Sequence, residues 1–389
     1  MSTSIIVKPS ATPRDTAAQS GEYPMREGLV ARMVVNSYFS RGKLDCILTF
    51  CHRIGKCGWE SLQMYIMWED VGEVGELVIY PLRGGRGVKV TEAEATRYGL
   101  AVEEMEDRSF IATSHYPSMV RPKFDLGDFD VSLTLDGSMV TLRCRWEGEE
   151  EEVEFDLQDV IKRGKVVEFS EIFTDDTLKG YDCGDEAAAL LTKVTRDKRK
   201  RESVRLVYSG DLVRNREPRK VLKLSATDIY TYRLFKPSDR VVYGEDAAYM
   251  LASETSLADL NERQVKKKVT LDWFRPNVVV RGVRQAYDED DWAYVRIGEV
   301  VLRRVKPCIQ YKFWYLDPET GKNITNEEEN VILKTLLRTR KMEGPKELQD
   351  YWERNPVFGV HLGIDSCGKV RVGDKVQVAR ASSNPRWQL

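Results

Sequence analysis

Histidine is the scarcest chemistry-bearing residue in this chain, with three in 389 positions, His52, His115 and His361, none of them in a nucleophile motif. Triad catalysis on an imidazole base therefore has no sequence support. Long apolar runs are missing too, because Arg41, Lys43, Asp45, Arg53, Lys56 and Glu60 interrupt the most apolar N-terminal stretch well short of the ~18 residues a spanning helix needs. No transmembrane segment is expected, and the chain reads as soluble. Net charge is nearly absent: 60 Lys and Arg against 62 Asp and Glu leave −2, which excludes a global attraction to nucleic acid or anionic lipid. The seven cysteines fall at irregular intervals rather than as a disulfide framework, so a reducing compartment is the simpler assumption. Cys46, Cys51, His52 and Cys57 match no pair-of-pairs zinc spacing. There is no fixed-period repeat and no P-loop, and Arg83-Gly84-Gly85-Arg86-Gly87 reads first as a basic turn between strands.

What is present is a succession of short apolar runs. Residues 1–24, rich in Ser, Thr, Ala and Pro, are expected to be disordered unless a partner holds them. Residues 25–74 form an N-terminal extension, read as helix and then a strand around 63–68, with spaced basic residues that weakly suit an organellar targeting helix. From Gly75 strands follow one another: Glu76 to Pro81, Val88 to Ala93, Phe129 to Leu135 and Met139 to Trp146 around an Asp136-Gly137 hairpin signal, then Val153 to Leu157. Such spacing suggests a small barrel over 75–165. Residues 166–203 read as linker and helix, the helix being Glu186 to Thr195 capped by Asp185; residues 162–181 read as a connection. The acidic run 147–152 reads as a solvated hairpin tip, and Lys198–Arg201 as a solvated loop with RNA or an acidic partner as the alternative. Residues 204–380 form a second, strand-dominated domain with a short helix that Ser256 can cap and a helical insert around 348–354; 381–389 is a tail.

One stretch is more specific. Leu271-Asp272-Trp273-Phe274-Arg275-Pro276-Asn277 runs into Val278-Val279-Val280, an acidic-aromatic patch from Tyr287 to Trp292, the strand Ile297 to Leu302, the loop Val305-Lys306-Pro307-Cys308-Ile309-Gln310-Tyr311 and Leu316-Asp317-Pro318-Glu319-Thr320-Gly321. Upstream stand Ile79-Tyr80-Pro81, Gly87, Thr91-Glu92-Ala93-Glu94, Gly99-Leu100, Asp107-Arg108 and Ser253-Glu254 to Asn261. In this order they resemble the MOSC domain family, the molybdenum-cofactor module of the mitochondrial amidoxime-reducing component and of the C-terminal part of molybdenum cofactor sulfurase. The resemblance covers 75 to about 378 and implies a mixed, mainly β fold with flanking helices: a MOSC-type β-barrel preceded by an N-terminal β-barrel domain.

It also implies a molybdopterin-type molybdenum cofactor. Such a cofactor brings two sulfur ligands, so the protein supplies one soft anionic ligand, cations for the phosphate and polar groups for the ring. Arg275 suits the phosphate through its planar fork, Asn277 a ring edge, Arg108 is a second cation and Ser253 could donate from a helix start. Arg83 stands where the family has a lysine and Gly84 where it has a serine. The family's metal-ligand cysteine is Tyr311 here, a harder and longer donor with a reference pKa near 10 against about 8.5 for a thiol. Cys308 is the alternative ligand. Two readings follow: an oxidoreductase reducing N-hydroxylated substrates with electrons from a haem carrier and its reductase, or a MOSC fold without metal serving as a structural or interaction subunit of a larger assembly. Nucleic acid enters only through a partner or Lys198–Arg201. The expected location is mitochondrial, with cytoplasmic as the alternative.

Overall fold

The computed structural model describes residues 67–114, 129–146, 148–170, 177–194, 204–218, 221–223, 229–232, 234–244, 246–263, 268–309, 318, 331–341 and 355–380. Residues 63–66, the insert around 348–354 and Lys198–Arg201 lie outside that set.

Seven strands close a barrel: β1 (Glu69–Ile79), β2 (Tyr249–Ser253), β3 (Val278–Arg281), β4 (Trp292–Ile297), β5 (Val300–Ile309), β6 (Val357–Ser366) and β7 (Lys375–Arg380), in the order β3-β2-β6-β5-β4-β7-β1 with β1 pairing back to β3. A ring with an odd number of strands cannot alternate direction all the way round, so one junction must be parallel. That junction is β2 with β3, in the register Leu251 to Val278 and Ser253 to Val280, while every other neighbour in the ring is antiparallel. A parallel pair needs a crossover, here helix α3 (Glu254–Glu262) and the turn that carries Arg275 and Asn277. Closure thus places these residues at the parallel junction.

The alternation of each strand fills the barrel. Val74, Leu77, Ile79, Leu251, Val278, Val280, Val295, Leu302, Val360 and Val376 share one core, joined by Ala93, Ala95 and Leu100 from the hairpin Glu92–Thr96 and Gly99–Val102. Each fully buried aliphatic contributes roughly 1.5–3 kcal/mol. Tyr249 ties this hairpin down by donating its hydroxyl to the Gly99 carbonyl at 3.0 Å. The boundary drawn from sequence at residue 75 falls inside β1, whose partners β3 and β7 come from the C-terminal part; an apolar run shows that it is a strand but not which sheet receives it.

The second lobe has its own core. A meander of Phe129–Asp136, Met139–Trp146 and Glu149–Asp156 packs with helices α1 (Leu157–Arg163) and α2 (Asp185–Val194) against the sheet Val166–Ser170, Thr177–Asp182, Val204–Tyr208 and Phe110–Ser114. The hairpin turns at Gly137 (φ 57°) as its Asp-Gly signal predicts. The stretch 162–181 is not a mere connection, since it holds two paired strands. Most of the acidic run is strand rather than tip, with Arg143 paired to Glu152 and Arg145 to Glu150 across the sheet. A fourth helix, α4 (Val331–Thr339), lies over the barrel wall. Among the described residues no helix is long and apolar enough to cross a membrane.

Candidate functional site

β1 leaves the barrel at Ile79, and its continuation runs beside the segment that opens the other lobe. The Tyr80 carbonyl accepts from Arg108 N (2.7 Å), the Pro81 carbonyl from Phe110 N (2.9 Å), and Arg83 N donates to the Phe110 carbonyl (2.8 Å). Tyr80 sits on this seam, 2% exposed. Its hydroxyl donates to the Pro276 carbonyl at 3.3 Å. The guanidinium carbon of Arg275 lies 4.2 Å from the centre of its ring and that of Arg108 5.9 Å from it. The guanidiniums of Arg275 and Arg108 thus both approach this ring, one from each lobe.

Both arginines have left-handed backbones, Arg108 at φ 54° and Arg275 at φ 58°. Non-glycine residues rarely adopt this conformation unless the surroundings hold them there. Arg275 is held by its N–H to the Leu271 carbonyl (3.0 Å), and its Nη1 donates to the Gly85 carbonyl at 2.6 Å. That last bond brings the basic turn 83–87 against Arg275 and places Arg83 two residues from the contact. Burial lowers the pKa of Arg275, and the Arg108 charge pushes the same way against Tyr80 and Asp107. The carboxylates of Asp107 and Asp272 draw Arg275 the other way, so burial is the main cause of its lowered pKa.

Asp107 is the hub, 2% exposed. Its Oδ1 accepts from Tyr80 N (2.8 Å) and Asn277 Nδ2 (2.8 Å), while Oδ2 pairs with Arg108 Nη1. Burial raises its pKa, with Arg108 opposing. Asn277, fully buried, also donates to the Val78 carbonyl (3.2 Å) and accepts from Met250 N (3.1 Å). Both amide hydrogens and the carbonyl oxygen are thus engaged inside the protein. The side chain proposed for a ring edge serves as a clamp between β1, β2 and the start of β3.

Beyond Arg108 the wall of β5 and β6 adds Lys306, 4% exposed and paired with Asp246, whose Oδ2 lies 3.8 Å from His361 Nε2. Burial first, and then Lys306 and Arg108, push His361 down to about 3 against the pull of Asp246, so its imidazole is neutral.

Ser253 lies elsewhere. It aligns with Val280 at the opposite end of the β2–β3 pair from Arg275. Its Oγ accepts from Ser256 N (3.1 Å), which makes Ser253 rather than Ser256 the cap of α3, since both serines fit a cap pattern and only the first precedes the helix. The same Oγ donates to Glu289 Oε2 at 3.0 Å. Glu289 is fully buried, and burial with the neighbouring Asp290 charge raises its pKa to about 6. The anion at this helix start is therefore a protein carboxylate.

Tyr311 lies outside the described residues, as do Cys46, Cys51, His52 and Cys57. Cys308, 6% exposed on β5, packs among Met250, Phe274, Leu336 and Phe358 in the apolar layer beneath α3 and α4. No group of three or more His, Cys, Asp or Glu among the described residues could hold a metal. The residues present fit the anionic end of a molybdopterin: two half-buried guanidiniums gathered on one ring. Cys308 does not fit its metal end, because its thiol is closed in by aromatic and aliphatic side chains. Sequence reasoning missed Tyr80, Asp107, Asp246, Lys306 and Glu289; the one available signal was the Asp107-Arg108 pair beside Tyr80-Pro81.

Comparison with known proteins agrees with this architecture. The family model described as the MOSC N-terminal beta barrel domain matches residues 71–198, and that of the MOSC domain residues 238–377. Mitochondrial amidoxime-reducing component 1 of Homo sapiens is 31% identical over 312 residues, covering 79% of this chain and 83% of that protein. The component 1 of Danio rerio is 34% identical over 79% of this chain and 84% of its own length, and component 2 of Rattus norvegicus 30% over 79% and 83%. Among solved structures, the YUAD protein of Bacillus subtilis spans 81% of this chain at 8% identity with a TM-score of 0.28, too slight a likeness to argue from. The chain belongs to the MOSC family, carries both its N-terminal β-barrel and its MOSC domain, and is a relative of the mitochondrial amidoxime-reducing components.

Proposed function

We propose that this protein holds a molybdopterin-type cofactor by its phosphate end at the seam between the lobes, as a mitochondrial reductase of N-hydroxylated substrates. The observation that carries the proposal is the approach of Arg275 and Arg108 to one ring, Tyr80, from different lobes. Arg275 and Arg108 would bind phosphate oxygens through parallel N–H donors, and Arg83 would add charge from the turn. Asn277 would act by fixing the start of β3 and thus the place of Arg275, its own amide being engaged. Ser253 would contribute through the frame of α3. When bound, the cofactor would supply the redox chemistry, with electrons from a haem carrier and its reductase.

Tyr311 favours a second reading, in which the fold has lost its metal and serves as a subunit of a larger assembly. Metal and pterin analysis of the purified protein separates the two. Molybdenum and a fluorescent pterin near one per chain would support the reductase. Neither, even after Tyr311→Cys, would remove it. Metal gained by the Tyr311→Cys protein alone would mean that the pocket persists and only its sulfur donor was lost.

A further inference from the structure

We propose that Tyr80 and Asp107 are positioning residues for the arginine pair, aiming both guanidiniums at one anion; this rests on the seam site proposed above. Two cations side by side repel, and long arginine side chains diverge unless something fixes each of them. Here a single scaffold fixes both. The Tyr80 ring lies 4.2 Å from Arg275 and 5.9 Å from Arg108, its hydroxyl donates to the carbonyl of Pro276 beside Arg275 (3.3 Å), and its carbonyl accepts from Arg108 N (2.7 Å). Asp107 closes the frame, since one carboxylate oxygen takes Tyr80 N and Asn277 Nδ2 and the other takes the Arg108 guanidinium. These bonds engage the Tyr80 hydroxyl and both Asp107 oxygens, so the two side chains act on an anion through the arginines and not by touching it. The frame spans both lobes, and the two arginines it supports share a backbone conformation that side chains seldom adopt.

The sign of one substitution separates positioning from simple charge balance. Asp107→Asn removes a negative charge near the anion, which by electrostatics alone would tighten binding. It can keep the acceptor used by Tyr80 and Asn277 while losing the partner of Arg108. Titration calorimetry of the full chain with inorganic phosphate is expected to show binding weakened about tenfold, or 1.4 kcal/mol, in Asp107→Asn. Tyr80→Leu is expected to weaken it to a similar extent, and Tyr80→Phe, which keeps the ring, to recover most of that loss. Unchanged or tighter binding in Asp107→Asn, or equal binding in Tyr80→Leu and Tyr80→Phe, overturns the positioning role; should Asp107→Asn fail to fold, the Tyr80 pair decides. No phosphate binding by the unaltered protein overturns this role and the seam site together. Binding lost in Arg275→Ala but tightened in Asp107→Asn overturns this role alone.

Discussion

The two ends of the β2–β3 pair meet the same physical demand in opposite ways. At the Ser253 end, the N-terminus of α3 faces a carboxylate from the protein itself, Glu289, and the acidic turn around it is bolted down by Arg340 on Asp290 and Arg380 on Asp288. At the Arg275 end, two guanidiniums are gathered on one tyrosine with a single buried aspartate beside them. One end carries its own anion at the helix start; the other sets two cations against one ring. The strands are shared and the sequence motifs adjacent, yet only the Arg275 end gathers two cations, and the proposed anion site lies there.

Arg275→Ala should break the comparison most severely. Removing the fork that joins the lobes at Gly85 is expected to weaken inorganic phosphate binding about a hundredfold, measured by calorimetry, because charge-assisted bonds to phosphate are the strong ones. The same assay on Glu289→Gln should give an unchanged affinity, since that carboxyl belongs to the Ser253 end. Equal losses in both would erase the distinction between the ends.

Acid titration sharpens it through sign. His361 is depressed to about 3 from an ordinary 6.5, so its contribution to stability is complete above 6.5 and lost as the pH falls toward 3. By pH 4 the loss should be about 3 kcal/mol, and His361→Gln should flatten the fall in urea midpoint between pH 7 and 4. Glu289 is raised to about 6 from 4.5, so its contribution is complete below 4.5 and lost as the pH rises through 6. Glu289→Gln should therefore steepen the acid loss by about 2 kcal/mol over the same range. Slopes that move the other way would mean that His361 is not held neutral, nor Glu289 raised, in the folded protein.

Cys308→Ala is the smallest change. A thiol that only fills the layer beneath α3 and α4 should cost about 1 kcal/mol in urea unfolding and leave any molybdenum content as it was. Loss of bound metal in this variant would instead make Cys308 a ligand.

Much of the fold was legible because strands announce themselves by alternation and the Asp136-Gly137 turn by its chemistry. Short strands with mixed composition, such as Val166–Ser170 and Thr177–Asp182, were not, since their apolar residues become a face only when a neighbour pairs with them. The site divided in the same way. Arg108 and Arg275 could be named from motif order, whereas the ring on which they meet joins positions 80, 108 and 275 and has no local signature. Asn277 was legible as a polar residue in the right place. That its amide is consumed by Val78, Met250 and Asp107 could be known only once β1, β2 and β3 were side by side.

Residue type and order by themselves determined the mainly β class, the family, and which side chains could bear charge toward an anion, because periodicity and donor chemistry are properties of the chain. Tertiary structure alone decided that seven strands close with one parallel junction, that Glu289 occupies one end of it, and that two arginines share Tyr80 at the other. Those outcomes depend on contacts between distant segments, whose energies exist only after the barrel has closed.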